Sequence, residues 1–293
     1  MAMWSCWPPA ACPTTARSST TRAATSDGAA CARPDRFIDE GLMTPAHPTC
    51  IVTGSASGIG AATVLALARA GYHTFGLDLN AEGAERVALQ AGLEHAGTRH
   101  AHAHCDVADE AAVVAAFVRA AEFLGPLDAL VTSAGVVDTT PFMDITVAQF
   151  RRIHEVNVIG TWLCMREAAR HMQPGGRICA IASIAGLRGG GLSGTAAYAA
   201  SKGGVIALAK NAARVLAAQG IRVNTLSPGA TDTPMIATPL SDPMHRARIE
   251  GLAAQKRIGR AEEIASGVVY LLSPAASFTH GANLVVDGGI VMP

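Results

Sequence analysis

Lysine is nearly missing from this chain: Lys202, Lys210 and Lys256 are the only ones in 293 residues, so a lysine in a patterned position carries information. Net charge is missing too, with 23 Lys+Arg set against 23 Asp+Glu. Without a basic field there is nothing to hold a polyanion, which argues against a nucleic-acid partner. The seven cysteines form no CxxC pair and no zinc-ligand spacing. Neither a disulfide framework nor a metal site is indicated, and reduced thiols in a cytoplasmic protein are expected. No apolar run approaches the ~18 residues of a membrane helix. The longest, Ala111 to Val118, ends at Arg119 and reads as a buried helix segment, so no membrane association is expected.

What remains is ample for a core. Apolar residues make up 49% and charged residues 16%, and this length suits a single α/β domain. Residues 1–46 differ from the rest: they are rich in Ala, Thr, Ser, Pro and Arg, lack periodicity, and carry Trp4 and Trp7. Pro8, Pro9 and Pro13 interrupt any secretory apolar region. A disordered extension, a mis-assigned start with Met43 as the true one, and a targeting segment are the readings, in that order. Residues 47–293 form the domain.

From Thr49 on, strand-like runs alternate with helical patterns. Strands are expected at 49–53, 73–77, 100–104, 127–132, 177–183, 222–226 and 282–286. Helices are expected at 59–70, 109–123, 147–172, 196–219 and 261–272, with a further one starting near Ala81. Such alternation implies parallel pairing with right-handed crossovers, hence a doubly wound, seven-stranded parallel sheet of Rossmann type. Continuous apolar strands such as Ala129-Leu130-Val131 fit a sheet covered on both faces.

The first strand runs into Thr53-Gly54-Ser55-Ala56-Ser57-Gly58-Ile59-Gly60 and then directly into a helix. Gly54, Ser57, Gly58, Ile59 and Gly60 would let the backbone approach a pyrophosphate at the helix N-terminus. A Gly-rich turn alone is no more than a connector; the acid closing the next strand, Asp78, supplies context. A carboxylate there, followed by Leu79, accepts adenosine ribose hydroxyls and repels a 2′-phosphate. No Arg or Lys lies within Ser55–Ser57 or beside Asp78, so NAD is expected rather than NADP; the bland reading of Asp78 is a helix cap. Asp106 and Val107 end the third strand, where adenine would sit. Ser133, Ala134 and Gly135 end the fourth, where small residues admit the ribose.

Tyr198 and Lys202 are four apart in a helical stretch and share one face. A phenol with a pKa near ~10 is a poor base at neutral pH. A neighbouring ammonium stabilises the phenolate and makes it useful for proton transfer. Ser183, at the end of strand five, can hydrogen-bond a substrate oxygen as charge develops. Taken singly, such a pair is a surface pair and such a serine a strand-end polar group. Their position on successive elements behind a nucleotide motif favours catalysis.

With these residues in view, the chain resembles the short-chain dehydrogenase/reductase family over Pro48 to Gly289. The family's TGxxxGxG is similar to Thr53–Gly60, and its YxxSK-type site to Tyr198–Lys202. Its catalytic serine falls on Ser183, its helix asparagine on Asn157, its PGxxxT on Pro228–Thr233 and its VDGG on Val286–Gly289. The resemblance implies an oxidoreductase that interconverts a secondary alcohol and a ketone, with Asn157, Ser183, Tyr198 and Lys202 as the catalytic set. It implies that Asn157 holds a water linking Lys202 to solvent and that Lys202 binds the nicotinamide ribose. Pro228, Gly229, Thr231 and Thr233 would then embrace the nicotinamide. A homotetramer is implied as well, packed through the helices at 147–172 and 196–219, whose small residues include Ala200, Gly204, Ala207 and Ala212.

The chain departs from the family at Ser133, where an asparagine is usual and a serine hydroxyl is expected to bond locally. It departs again in the run Gly189-Gly190-Gly191 after Arg188, which looks long, and at His280, for which the sequence offers no reading. The variable lid would span Met235–Lys256, with Ile236, Leu240, Met244 and Ile249 beside Arg246 and Arg248. His100, His102 and His104 share one face of strand three. Their roughly 6–7 Å steps are too wide for one zinc ion, so an edge-strand face is expected instead. The rivals are an NADP-linked 3-oxoacyl thioester reductase, which would want basic residues near Ser57 or after Asp78, and a non-catalytic NAD-binding redox sensor.

Overall fold

The computed structural model describes residues 47–190 and 195–292; the expected extension at 1–46 and Gly191 of the glycine run lie outside the described residues. The main sheet consists of β1 (Thr49–Thr53), β2 (His73–Asp78), β3 (His100–His104), β4 (Leu127–Thr132), β5 (Met172–Ile181), β6 (Arg222–Pro228) and β7 (Asn283–Val286). All neighbours are parallel, in the order β3-β2-β1-β4-β5-β6-β7. The expected seven-stranded sheet is therefore present. Winding reverses between β1 and β4, which opens a crevice at their carboxyl ends.

Period-two geometry explains how each strand serves two cores. In β1, Ile51 joins one apolar cluster with Phe117, Leu130 and Val205, while Cys50 and Val52 join the other with Leu67, Ile264 and Leu271. The first cluster packs α3 (Glu110–Leu124), α4 (147–171) and α5 (Ala196–Leu216) on one face. The second packs α1 (Gly58–Arg69) and α7 (Ala261–Leu272) on the other, and α2 (Ala81–Ala91) flanks β2 and β3. Strand β3 is an edge strand, as its histidines suggested. Both ring nitrogens of His100 are engaged, one with Thr74 Oγ1 at 2.8 Å and one with Thr98 Oγ1 at 2.9 Å.

Helix α4 departs from the expected continuous helix at 147–172. It begins at Val147 behind a Thr146/Gln149 capping box, passes through a π-helical turn at Glu155–Gly160, and resumes as Thr161–His171. Gly160 lets this turn press on the turn that follows β3, since a Cβ there would fall 2.8 Å from Val107 Cγ2. Met172 belongs to β5, pairing with Leu127 before a register shift. Strand β5 stops at Ile181, two residues short of Ser183, and the lid contains an unforeseen helix, α6 (Pro243–Leu252).

The structure supplies a reading for His280. Its Nδ1 accepts the Val223 amide at 3.2 Å, which leaves Nε2–H to donate to Ala213 O at 2.8 Å. The ring thus ties the start of β6 to the last turns of α5. His280→Ala is expected to lower folding stability by about 1 kcal/mol. That would be read as a lower urea midpoint at unchanged m-value.

Candidate active site

The crevice at the carboxyl ends of the strands is a cavity of about 320 Å³. Every expected site residue lines it except Gly60 and Asn157. At one end Asp78 and Leu79 close β2, and Asp106 and Val107 follow β3. At the other end Ser183, Tyr198 and Lys202 meet the segment from Pro228 to Ile236.

The turn after β1 is built by close backbone contact. Gly54 has φ of +69°, and a Cβ there would sit 2.7 Å from the Ala134 amide nitrogen. A Cβ on Gly60 would collide with the Gly54 carbonyl oxygen, so Gly60 shapes the turn from behind the cavity wall. Ser57 starts α1 without a side-chain cap bond, the first-turn amides have no helical acceptor, and Ser57, Gly58 and Ile59 line the crevice. Gly58 has φ of +53°, the left-handed region that favours glycine, and a Cβ there would press on the Thr233 side chain at 3.3 Å, so glycine eases the slot between α1 and the segment leading to the lid. Asp78 is locked by two amides, Ala56 N–H to Oδ2 at 2.9 Å and Asn80 N–H to Oδ1 at 2.8 Å. Each oxygen retains acceptor capacity for a diol. A free-amide helix N-terminus, a slot kept open by glycine and a fixed carboxylate together fit a dinucleotide.

Sequence reading missed Arg152 at this end. It reaches the cavity from α4 and lies 3.7 Å from Asp106, a meeting across 46 residues that no local spacing signals. At Ser133 the expected side-chain bond is replaced. Thr53 Oγ1 instead accepts both the Ser133 and Ala134 amides at 3.1 Å, joining β1 to the end of β4.

At the catalytic end, close packing sets the spacing. A Cβ on Gly186 would lie 2.5 Å from the Gly203 amide, so the short helix Ala185–Arg188 rests directly on α5. This brings Ser183 to the first turn of α5, where Tyr198 lies. Ser183 Oγ accepts the Ala185 amide at 3.1 Å, which leaves its own O–H free to donate. Lys202 Nζ donates to Ile181 O at 2.9 Å and stands 5.8 Å from the centre of the Tyr198 ring. Burial pulls the Lys202 ammonium down to about 8. Burial also pushes the Tyr198 phenol up, with the Ser183 hydroxyl opposing it. In this arrangement desolvation outweighs the help anticipated from the lysine. The cavity's thiol, Cys105, is pushed up by burial to about 11 and is no nucleophile near neutrality.

Asn157 lies behind the wall and is fully buried. Its Oδ1 accepts the Val136 amide at 2.9 Å, and its Nδ2 donates to Val136 O at 2.9 Å and Ser201 Oγ at 3.0 Å. Its backbone carbonyl accepts Thr161 Oγ1 at 2.8 Å. The side chain therefore pins the segment after β4 to α5, one residue from Lys202. A Cβ on Gly135 would fall 3.2 Å from Asn157 Oδ1 and 3.5 Å from Lys202 Nζ, so glycine lets the two approach. Thr231 Oγ1 donates to Gly229 O at 3.0 Å and Thr233 Oγ1 to Thr231 O at 3.3 Å, which stiffens the segment leading to the lid.

Comparison with known proteins agrees with this architecture. A family model described as enoyl-(acyl carrier protein) reductase matches residues 54–291. Cis-4-hydroxycyclohexanecarboxylate dehydrogenase of Sinomonas cyclohexanicum is 42% identical over 246 residues, covering 83% of this chain and 96% of the relative. D-threitol dehydrogenase of Mycolicibacterium smegmatis is 39% identical, covering 82% and 91%. Among solved structures, levodione reductase superposes with a TM-score of 0.78 at 31% identity, covering 82% of this chain and 96% of that one. The glycine turn, the Ser183/Tyr198/Lys202 grouping and these likenesses converge: the chain belongs to the short-chain dehydrogenase/reductase family of oxidoreductases.

Proposed function

We propose that the protein is an NAD(H)-dependent dehydrogenase that interconverts a small secondary alcohol and its ketone. The observation that carries this reading is the meeting of two hydroxyls, Ser183 and Tyr198, above a buried lysine at one end of a dinucleotide-shaped crevice. Gly54 and Ser57–Gly60 would hold the pyrophosphate, Asp78 and Leu79 the adenosine ribose, and Asp106 and Val107 the adenine. Ser133–Gly135 with Lys202 would hold the second ribose, and Pro228, Gly229, Thr231 and Thr233 the nicotinamide. When bound, NAD supplies the acceptor for the carbinol hydride. Ser183 donates a hydrogen bond to the substrate oxygen, Tyr198 takes its proton on oxidation or returns it on reduction, and the Lys202 ammonium stabilises the phenolate. Asn157 acts as a positioning residue through Val136 and Ser201.

The same reading places catalysis in residues 47–293 of a cytoplasmic homotetramer. Four described cysteines are free and buried, as in a reducing compartment, and no helix among the described residues is long and apolar enough to cross a membrane. Ile159 and Trp162 on α4 are 45% and 44% exposed, apolar surface suited to a subunit contact.

The pH dependence tests the proton chemistry. Oxidation needs the phenolate, whose fraction is small because burial raises the phenol. Alcohol oxidation at saturating NAD is therefore expected to rise by up to about tenfold per pH unit from pH 6 towards 8. Reduction needs the phenol protonated and the ammonium charged, so it is expected to fall as Lys202 loses its proton around 8. Both directions are followed by NADH absorbance, with a deuterated alcohol verifying that hydride transfer limits the rate. A pH-independent oxidation with a full isotope effect would remove Tyr198 as the base.

A further inference from the structure

Resting on the dinucleotide reading of the crevice, we infer that Arg152 and Asp106 act as a pair that recognises the edge of the cofactor's adenine, Asp106 accepting from the amino group and Arg152 donating to a ring nitrogen. Both line the β2–β3 end of the cavity, although they lie 46 residues apart in the chain. Asp106 follows β3, and its Oδ1 accepts the Ala108 amide at 2.9 Å. That bond orients the carboxylate, and the Arg152 Nη2 atom lies 3.7 Å from its other oxygen, Oδ2. At this separation the two groups attract without a hydrogen bond between them. A charged acceptor and a charged donor therefore stand side by side at the cavity wall, each with capacity for a third group.

The surroundings suit a flat apolar body. Arg152 and Val156 are four apart on α4 and both line the cavity, so one helix face supplies a cation and, a turn later, a branched hydrocarbon. Val107 lines the cavity next to Asp106, and Gly160 lets α4 press on it. Leu79 closes the end of β2 and is 54% exposed, an apolar side chain that a bound base would cover. Adenine has the matching make-up: two apolar faces, and an edge on which an amino donor adjoins a ring-nitrogen acceptor. In hypoxanthine, as in guanine, an oxygen stands in place of that amino group, so Asp106 would face an acceptor and repel it. The Arg152 and Asp106 side chains are 50% and 33% exposed, so their attraction for each other contributes little by itself. Holding one ligand between them is what the arrangement accomplishes.

The test is isothermal titration calorimetry of the full chain with NADH, with the analogue carrying hypoxanthine in place of adenine, and with reduced nicotinamide mononucleotide, which lacks the adenosine half. The variant is Arg152→Leu, a good helix former at a half-exposed position. The wild type is expected to bind NADH about tenfold more tightly than the hypoxanthine analogue, the scale of one charge-assisted hydrogen bond partly open to water. In Arg152→Leu, NADH binding is expected to weaken by about tenfold and the preference over the analogue to fall to within about threefold. The mononucleotide is expected to keep its affinity within about twofold, because it never reaches Arg152. Unchanged NADH affinity in the variant overturns the inference. So does equal weakening of both dinucleotides with the preference intact, since the arginine would then serve the diphosphate. A matching loss for the mononucleotide marks a purely structural role and overturns it as well. A wild type that is folded by circular dichroism and binds neither dinucleotide sinks the dinucleotide reading beneath the inference.

Discussion

Tyr198→Phe is expected to lower kcat by about 10³-fold while leaving NADH affinity within about threefold. The substitution removes one oxygen. The ring remains partly buried beside the Lys202 ammonium, so the cavity wall keeps its shape. What is lost is the hydroxyl to which the proposed mechanism gives proton exchange with a substrate oxygen next to Ser183; Cys105 is held as a neutral thiol at the opposite end. Because Ser183 and the cofactor cradle are untouched, the loss falls on kcat rather than on binding. Steady-state rates with the best alcohol and NADH fluorescence titration together decide it. Full turnover by the phenylalanine variant would exclude the mechanism, whereas joint loss of turnover and NADH binding would show a collapsed cavity.

Asp78→Ala is expected to shift the NAD/NADP preference by about 10³-fold towards NADP, measured as the ratio of kcat/KM values. Two effects add. The 2′-hydroxyl is what distinguishes NAD from NADP at this ribose; its charge-assisted bond to a carboxylate contributes roughly 1.5–3 kcal/mol, and the alanine forfeits this for NAD. A 2′-phosphate about 4 Å from the same carboxylate is repelled by up to ~4 kcal/mol per unit charge pair at an effective dielectric of 20, and the alanine removes that penalty for NADP. Arg152 does not offset the wild-type repulsion, since it lies beside Asp106. Asp78 also holds the Ala56 and Asn80 amides, so alanine loosens the turn for both cofactors. Asp78→Asn separates the two contributions by keeping an acceptor without the charge: it should retain most NAD affinity and still admit NADP. An unchanged preference in both variants would remove Asp78 as the discriminator.

Much of this was legible because the chemistry is local. The run Thr53–Gly60 declares strand, turn and helix in eight consecutive letters, and Tyr198 and Lys202 are one helical turn apart by arithmetic. Strand periodicity located β1 to β4 to within a residue, since apolar residues on both faces leave few alternatives. The π turn around Asn157 was not legible, because there Gly160 meets Val107 in the turn after β3, 53 residues away in the chain. Gln173-Pro174-Gly175-Gly176 reads as a break, yet Met172 pairs with β4 before it, so tertiary pairing overrides local propensity. The role of His280 needs two partners 57 and 67 residues away. Arg152 belongs to the same class of distant meeting. Gly60 was read among the pyrophosphate residues from its place in the glycine run, whereas its close packing against the Gly54 carbonyl needs the fold to be seen.

The contact of Gly60 with Gly54 has a kinetic consequence. Because main chain rests on main chain there, the turn after β1 is expected to hold its shape before any nucleotide arrives, so that this turn need not be ordered at the moment of capture. Association should then follow the encounter of two preformed surfaces, with a single concentration-linear phase and no slow isomerisation behind it.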